Sequence, residues 1–355
     1  MDKYRIESHK LNFHVDRIHD WLAGKDIYPI YVEISPSGAC NHHCLYCALD
    51  FARAPSAFLD QDMLKERLFE MGRLGVKSIM YAGEGEPLMH KHIGQIILDT
   101  KRAGMDVALT TNAVLFDKKL CDATLPQLSW IKVSITAGHK RTYAEIHQTR
   151  PGDFDRVMKN MSYTARLKRR KGLKCALGMQ LILLPENHNE VALLAKKARD
   201  IGMDYLVVKP YSQHPYSKTK KYKNIKYAKY FGLAEKLCRF NNDRFNVIFR
   251  VHTMQKWDEA RHGYRQCLAL PFWTYIGSKG NVWGCANYLT RKEFYLGHIY
   301  KDTFRKIWQS KRRKEFMAWA KENLDSRRCR VNCRMDEVNR YLWELKHPPE
   351  HVNFI

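Results

Sequence analysis

The chain predicts an α/β fold: an open, partial barrel of six strand–helix units, followed by a small α+β domain of a hairpin and a helix. Two observations carry this. Short apolar runs alternate with helix-like segments over residues 30–211, the pattern of βαβ units and a parallel sheet. Past residue 262 that alternation gives way to aromatic-rich segments about a Gly-containing turn and one amphipathic stretch. The 355 residues are 45% hydrophobic and 28% charged, which suits a folded chain and excludes a disordered one.

Residues 30–35 alternate apolar and polar and read as the first strand; Pro36, Ser37 and Gly38 then turn the chain into a loop. Apolar runs at 76–82, 106–110, 130–136, 177–184 and 205–209 supply five more strands. Segments 60–74, 91–103, 154–170 and 189–201 read as the helices between them. Function in such a barrel gathers at the C-terminal strand ends. The chain divides into an N-terminal extension (1–29), the barrel (30–211), a basic linker or lid (212–262), a cysteine-bearing domain (263–345) and a tail (346–355).

No apolar run approaches the roughly 20 residues needed to span a bilayer, and no apolar export segment follows the N-terminus. A cytoplasmic protein is expected. Sixty-one Lys and Arg face 37 Asp and Glu, a net charge of +24 that attracts anionic ligands or surfaces. Ten cysteines in a reducing compartment point to metal or catalysis rather than to disulfides.

Seven of the ten fall into two groups. The first is Cys40-Asn-His-His-Cys44-Leu-Tyr-Cys47. Three thiolates on one loop can hold three corners of a cubane cluster, and the absence of a nearby fourth leaves one iron open. Zinc is the alternative for this triplet alone. His42 and His43, between the cysteines, read as flanking or solvent-facing. The second group is Cys267, Cys285, Cys329 and Cys333. Cys267 precedes a hairpin over 272–285, Cys285 ends it, and a helix over 303–322 with Phe304, Ile307, Trp308, Phe316 and Trp319 on one side leads to the last pair. Arg305, Lys306, Lys311, Arg312, Arg313 and Lys314 read as that helix's charged outer face. Four thiolates suit a fully ligated iron–sulfur cluster, with structural zinc again the alternative.

The C-x3-C-x2-C loop with Tyr46 before its last cysteine, and the Gly83-Glu84-Gly85-Glu86-Pro87 turn after the second strand, resemble the radical S-adenosylmethionine (SAM) superfamily. Residues 267–333 resemble the shortened auxiliary-cluster domain, called twitch, related to the longer SPASM domain. The resemblance covers about residues 30–345. It implies a partial TIM-type barrel and two [4Fe–4S] clusters: a catalytic one on Cys40, Cys44 and Cys47, whose open iron takes SAM, and an auxiliary one on Cys267, Cys285, Cys329 and Cys333. It implies SAM contacts from Tyr46, Gly83, Gly85, Glu86 and Ser134, and from Thr111, Asn112 and Thr136, three that read equally well as plain strand ends. Glu186 and Asn187, after the fifth strand, read as SAM-side residues or as helix caps. An external one-electron reductant of flavodoxin or ferredoxin type is implied as partner.

The activity so implied is reductive cleavage of SAM to a 5′-deoxyadenosyl radical that abstracts a substrate hydrogen. Oxidation or epimerisation of a hydroxyl-bearing carbon on a sugar or nucleotide-like metabolite is expected. The alternatives are a peptide-modifying enzyme, for which the 39 residues before Cys40 leave little room for a peptide-recognition module, and a zinc-binding nucleic-acid protein. For the latter no helix-turn-helix, RNP or zinc-finger spacing is present. An acid-free stretch from Ser212 to Tyr230 carries Lys218, Lys220, Lys221 and Lys223, which read either as a solvated face or as a lid over an anionic substrate. Cys121, Cys175 and Cys238 remain, as inert thiols or as hydrogen-atom donors.

Overall fold

The computed structural model describes residues 3–52, 54–260 and 262–354, so Met1 and Asp2 of the N-terminal segment lie outside the described residues. Its strands are β1 (Tyr31–Ile34), β2 (Ser78–Tyr81), β3 (Asp106–Thr111), β4 (Leu128–Ser134), β5 (Ala176–Leu183), β6 (Tyr205–Pro210), β7 (Asn246–Phe249), β8 (Trp273–Ile276), β9 (Asn281–Trp283) and β10 (Tyr295–His298). They form one sheet in the order β10-β9-β8-β1-β2-β3-β4-β5-β6-β7. From β8 to β7 every pairing is parallel, and only β8–β9 and β9–β10 are antiparallel. The six expected strands stand side by side in chain order, as the core of an open α/β barrel requires.

The sheet extends past both edges of that core. β7 joins beyond β6, inside the stretch read as a linker. It is four residues long and follows Asn242, Asp243 and Arg244, and its short apolar run Val247-Ile248-Phe249 was passed over within the basic stretch. β8 pairs with β1 in register Tyr31↔Trp273 to Ile34↔Ile276, so the cysteine-bearing hairpin prolongs the barrel sheet.

The helices are α1 (Val15–Leu22), α2 (Gln61–Arg73), α3 (Ile93–Arg102), α4 (Lys118–Thr124), α5 (Lys140–His147), α6 (Pro151–Lys171), α7 (Val191–Ile201), α8 (Gly232–Cys238), α9 (Val251–Glu259), α10 (Phe304–Gln309), α11 (Lys311–Asn323) and α12 (Asp336–Lys346). The helix expected over 303–322 is two. Ser310 leaves helical geometry and its hydroxyl accepts from the Arg313 N–H at 3.1 Å, an N-cap that starts a new helix. Arg313, read as part of a charged outer face, is buried, with its guanidinium 4.0 Å from the Trp308 ring centre and 3.7 Å from Asp26. Among the described residues no helix is long and apolar enough to cross a membrane.

Strand alternation sorts the core into two layers. Ile79, Tyr81, Leu109, Ile131, Val133, Leu177, Met179 and Leu181 are fully buried beneath the helices. The other face lines the lumen. Its lower part is apolar, with Met80, Ala82, Ala108, Tyr31 and Trp130 in one cluster and Tyr205, Val207, Ile248, Tyr4 and Ile6 in another. Gly178 is required there, because a Cβ would lie 2.1 Å from the Tyr205 ring. The N-terminal segment thus fills the bottom of the barrel, and the mouth at the strands' C-terminal ends carries the polar groups.

Candidate active site

The loop after β1 carries the first cysteine group and is held from three sides. Ala39 C=O accepts from the Glu86 N–H at 2.8 Å, and Asn112 Nδ2 donates to Asn41 Oδ1 at 2.7 Å. The C-terminus of α5 accepts from the loop backbone, His43 N–H to His147 C=O at 3.0 Å and Leu45 N–H to Ile146 C=O at 2.9 Å. Cys40, Cys44 and Cys47 then line a cavity of about 330 Å³ at the barrel mouth.

Tyr46, Gly83, Gly85, Glu86, Thr111, Asn112 and Ser134 line the same cavity; Thr136 does not. Thr136 lies just behind it, its Oγ1 donating to the Tyr46 hydroxyl at 3.0 Å and its N–H to His147 Nε2 at 3.1 Å. Both carboxylate oxygens of Glu86 are engaged within the chain, accepting from Thr111 Oγ1 at 2.5 Å, the Asn112 N–H at 2.7 Å and the Leu88 N–H at 3.1 Å. Burial outweighs those bonds and pushes the carboxyl up to about 7. Glu86 therefore ties the β2 turn to the end of β3. Asn187 sits behind the mouth, its amide donating to Thr136 C=O and Ile182 C=O, and Glu186 pairs with Lys221 at 2.6 Å.

The cavity's cations are not those of the lysine run. Lys209 at the end of β6, with Arg330 and Arg334 from the final cysteine loop, lines it beside Glu33 of β1. Deeper in the lumen lie Lys132 of β4 and Arg250, whose charges act on Lys209. Arg334 pairs with Glu33 and donates to the Tyr31 hydroxyl at 2.5 Å, which ties the cysteine loop to β1. Burial, then the charges of Arg330, Arg250 and Lys132, push Lys209 well below the usual lysine range. Burial brings Lys132 down to about 8. In β6 the apolar run Tyr205–Val208 shows no alternation that marks Lys209 as lumen-facing, whereas in β4 Lys132 and Ser134 do alternate with Ile131 and Val133, a signal that sequence reading passed over. Arg330 and Arg334 did stand beside Cys329 and Cys333, the one signal available for that pair.

The lysine run faces solvent. Lys218, Lys220, Lys221 and Lys223 are exposed, while the interleaved Tyr222, Tyr227 and Tyr230 are buried. The segment is pinned to the cluster loop by Asp50, which accepts from the Lys218 N–H at 2.9 Å and the Thr219 N–H at 3.0 Å, and by Ser217 Oγ donating to Cys47 C=O at 3.3 Å. His214 from this segment does reach the cavity, with its imidazole lowered to about 4 by burial and then Arg330. Cys121 and Cys175 are buried outside the cavity, pushed by burial to about 11 and about 12, and Cys238 is exposed on α8.

The second cysteine group converges at the base of the hairpin. Burial raises Cys267 to about 12 and Cys329 to about 11, and both also feel Cys333. Cys285 is raised well above its ordinary range by burial, then by Cys333 and Cys267. Four thiols close enough to raise one another, Cys285 buried and the other three half-buried, are a donor set for a metal centre. Three residues separate Cys329 from Cys333, and the last of them, Asn332, has a φ of 61°, the left-handed conformation that Asn tolerates. Polar groups surround the sulfurs: Tyr288 Oη to Cys329 at 3.0 Å, Asn287 N–H to Cys285 at 3.4 Å, and Asn287 Nδ2 and the Met335 N–H to Cys333 at 3.5 and 3.4 Å. Asn339 Nδ2 donates to Cys267 at 3.6 Å. Cys333 alone of the four reaches the cavity at the barrel mouth.

The cradle beside the first group fits SAM. A Cβ on Gly83 (φ 120°) would come within 2.4 Å of Ser35, and one on Gly85 within 2.2 Å of Ala39 C=O, so only glycine lets this cavity-lining turn pack against the cluster loop. Buried Trp273 Nε1, on the cavity wall, has no acceptor among the described residues.

Comparison with known proteins agrees with this geometry. Residues 34–198 match the radical SAM superfamily, and residues 267–334 match the SPASM iron-sulfur cluster-binding domain. The GTP 3',8-cyclase of Chlorobaculum tepidum is 28% identical over 246 residues, 68% of this chain and 70% of that one. A GTP 3',8-cyclase of Clostridium botulinum is 29% identical over 141 residues, 37% of this chain and 42% of its own. Among solved structures, Streptococcus suis SuiB bound to precursor peptide SuiA superposes with a TM-score of 0.64 at 18% identity, covering 84% of this chain and 69% of SuiB. Native anSMEcpe with bound AdoMet gives 0.58 at 17%, covering 90% and 95%. The fold and the two thiol sets define an enzyme class that works with SAM and iron–sulfur clusters, and the chain belongs to the radical SAM superfamily. Within it, the chain is one that carries a SPASM-type domain after its barrel, and its cofactors are [4Fe–4S] clusters and SAM.

Proposed function

We propose that this radical SAM enzyme oxidises a hydroxyl-bearing carbon of an anionic metabolite of sugar-phosphate or nucleotide type. One observation carries the reading: a single cavity is lined by Cys40, Cys44 and Cys47, by Cys333, and by Lys209, Arg330 and Arg334. The cubane on the first three cysteines, given one electron by an external reductant, would supply a 5′-deoxyadenosyl radical from SAM, and the cluster on the other four, in its oxidised state, would accept one electron.

The chain's own residues do the rest. Arg330 and Arg334 present guanidinium groups suited to phosphate oxygens. Lys209, which burial and the neighbouring cations hold well below the usual lysine range, can take the hydroxyl proton once the carbon has lost its hydrogen atom. Loss of a hydrogen atom, a proton and one electron from CH–OH leaves a ketone, which balances. The relatives named for GTP support a nucleotide-like substrate. The SAM-side roles of Tyr46, Gly83, Gly85, Glu86, Thr111, Asn112 and Ser134 belong to this same proposal, with Thr136 acting through Tyr46.

The test is isotopic. With a substrate in hand, 5′-deoxyadenosine and a product two mass units lighter should form one to one, with no solvent deuterium at carbon in deuterated water. Deuterium fixed at that carbon, with no mass loss, would mean that a hydrogen atom is returned and would replace oxidation with epimerisation.

A further inference from the structure

We infer that His147 tunes the cluster on Cys40, Cys44 and Cys47 by donating a hydrogen bond from Nδ1 to Cys44 Sγ. The imidazole is fully buried at the end of α5, stacked on Tyr143 at 4.2 Å between centroids and edge-on to Tyr46 at 5.5 Å. The Thr136 N–H lies 3.1 Å from Nε2, and Cys44 Sγ lies 3.2 Å from Nδ1.

These two contacts fix the tautomer. A backbone N–H can only donate, so Nε2 must carry the lone pair that receives it. A neutral imidazole keeps one N–H, which is then on Nδ1, with the sulfur at 3.2 Å nearer than the Tyr46 hydroxyl at 3.4 Å. His42, Cys44 and His147 bring possible ligand atoms within 4.8 Å of one another, which invites a metal triad. The tautomer argues against it, because an Nδ1 that bears the proton has no lone pair to give, and Nε2 is spent on Thr136. The geometry makes His147 a positioning residue whose proton points at a cluster ligand 103 positions away in the chain.

A hydrogen bond to a ligand sulfur stabilises the more negative, reduced form of a cluster and raises its potential. The carbonyls of Ile146 and His147 accept from the cluster loop backbone, so the ring is fixed against the loop it tunes.

The experiment is a redox titration of the full, anaerobically reconstituted chain. The catalytic cluster is read by difference against Cys40→Ala/Cys44→Ala/Cys47→Ala. His147→Phe keeps a ring beside Tyr143 and removes the donor. Its one-electron reduction constant should fall about tenfold, a shift of about 59 mV to lower potential, with the auxiliary cluster unmoved. His147→Gln, whose amide can accept from Thr136 and donate to Cys44, should recover part of that shift. An unshifted potential in His147→Phe with full iron would overturn the inference, and so would equal shifts in both variants, which is the mark of a merely structural role. Should His147→Phe fail to bind iron, protein labelled with 15N-histidine decides. The reduced catalytic cluster should then show a weak 15N coupling that His147→Gln lacks, and the same coupling in both would contradict the assignment.

Discussion

The two thiol sets differ in how the chain treats their sulfurs. At the barrel mouth, Cys40, Cys44 and Cys47 all line the cavity, with His147 Nδ1 3.2 Å from Cys44. At the hairpin, each of Cys267, Cys285, Cys329 and Cys333 meets an N–H or O–H group, and Cys333 alone reaches the cavity. Three thiolates leave a cubane with an iron for an outside ligand, whereas four thiolates inside a polar shell close the coordination and favour the reduced state. The first arrangement suits binding and cleaving SAM. The second suits taking an electron, and the cations between them suit holding what is oxidised.

The largest effect expected from that contrast comes from removing the open set. Cys40→Ala/Cys44→Ala/Cys47→Ala should abolish 5′-deoxyadenosine formation while keeping about four irons and four sulfides per chain at the auxiliary site. Loss of all iron would mean that the two sites do not load independently.

Next comes the substrate side. Arg330→Gln should raise the substrate KM about 10- to 100-fold, the range for a charge-assisted hydrogen bond of roughly 1.5–3 kcal/mol, and the rise should persist in salt. The combined change of Lys218, Lys220, Lys221 and Lys223 to Gln should raise KM only a few-fold, as exposed charges do. That smaller rise should vanish at high ionic strength, because the screening length is about 8 Å at physiological salt. A salt-resistant effect from the lysine set would return those residues to the substrate site.

A smaller effect concerns stability and pH. Burial lowers Lys132 to about 8 from an ordinary 10.5. Below pH 8 both states hold the proton, and the folded chain bears an unfavourable buried charge. Between pH 8 and 10.5 the unfolded chain holds more protons, so folding stability rises with pH across that window. Lys132→Met should therefore melt higher than the parent near pH 7, and the gap should narrow as pH approaches 10. A gap independent of pH would remove Lys132 from the buried cations. Least of all, Asn332→Val should cost about 1–3 kcal/mol through its positive φ, read as a lower melting temperature of the loaded protein, while Asn332→Gly should be near neutral.

What was legible in the sequence is what covalent spacing controls. The Cys40–Cys47 loop, the Gly83–Pro87 turn and the hairpin between Cys267 and Cys285 are short-range patterns: the loop and the turn line the cavity, and β8 and β9 form the hairpin. What was hidden depends on pairing across distance. β8 meets β1 more than two hundred residues away, and α5 brings His147 to Cys44 from a helix that no strong apolar period announced. Lys132 and Lys209 are single charges within runs read as strands, and closure of the barrel brings both to the lumen. The split at Ser310 was readable in principle, because Ser three residues before Arg313 is an N-cap residue within an otherwise helical period.

The claim that one cavity joins both thiol sets around an anionic substrate is tested most directly by 5′-deoxyadenosine release from the reduced holoenzyme. Nucleotides and sugar phosphates are offered in turn, each against its dephosphorylated counterpart. The account predicts stimulated release with a phosphorylated compound, none with its neutral counterpart, and loss of the stimulation in Arg330→Gln. Equal stimulation by neutral compounds, or stimulation untouched by Arg330→Gln, would contradict it.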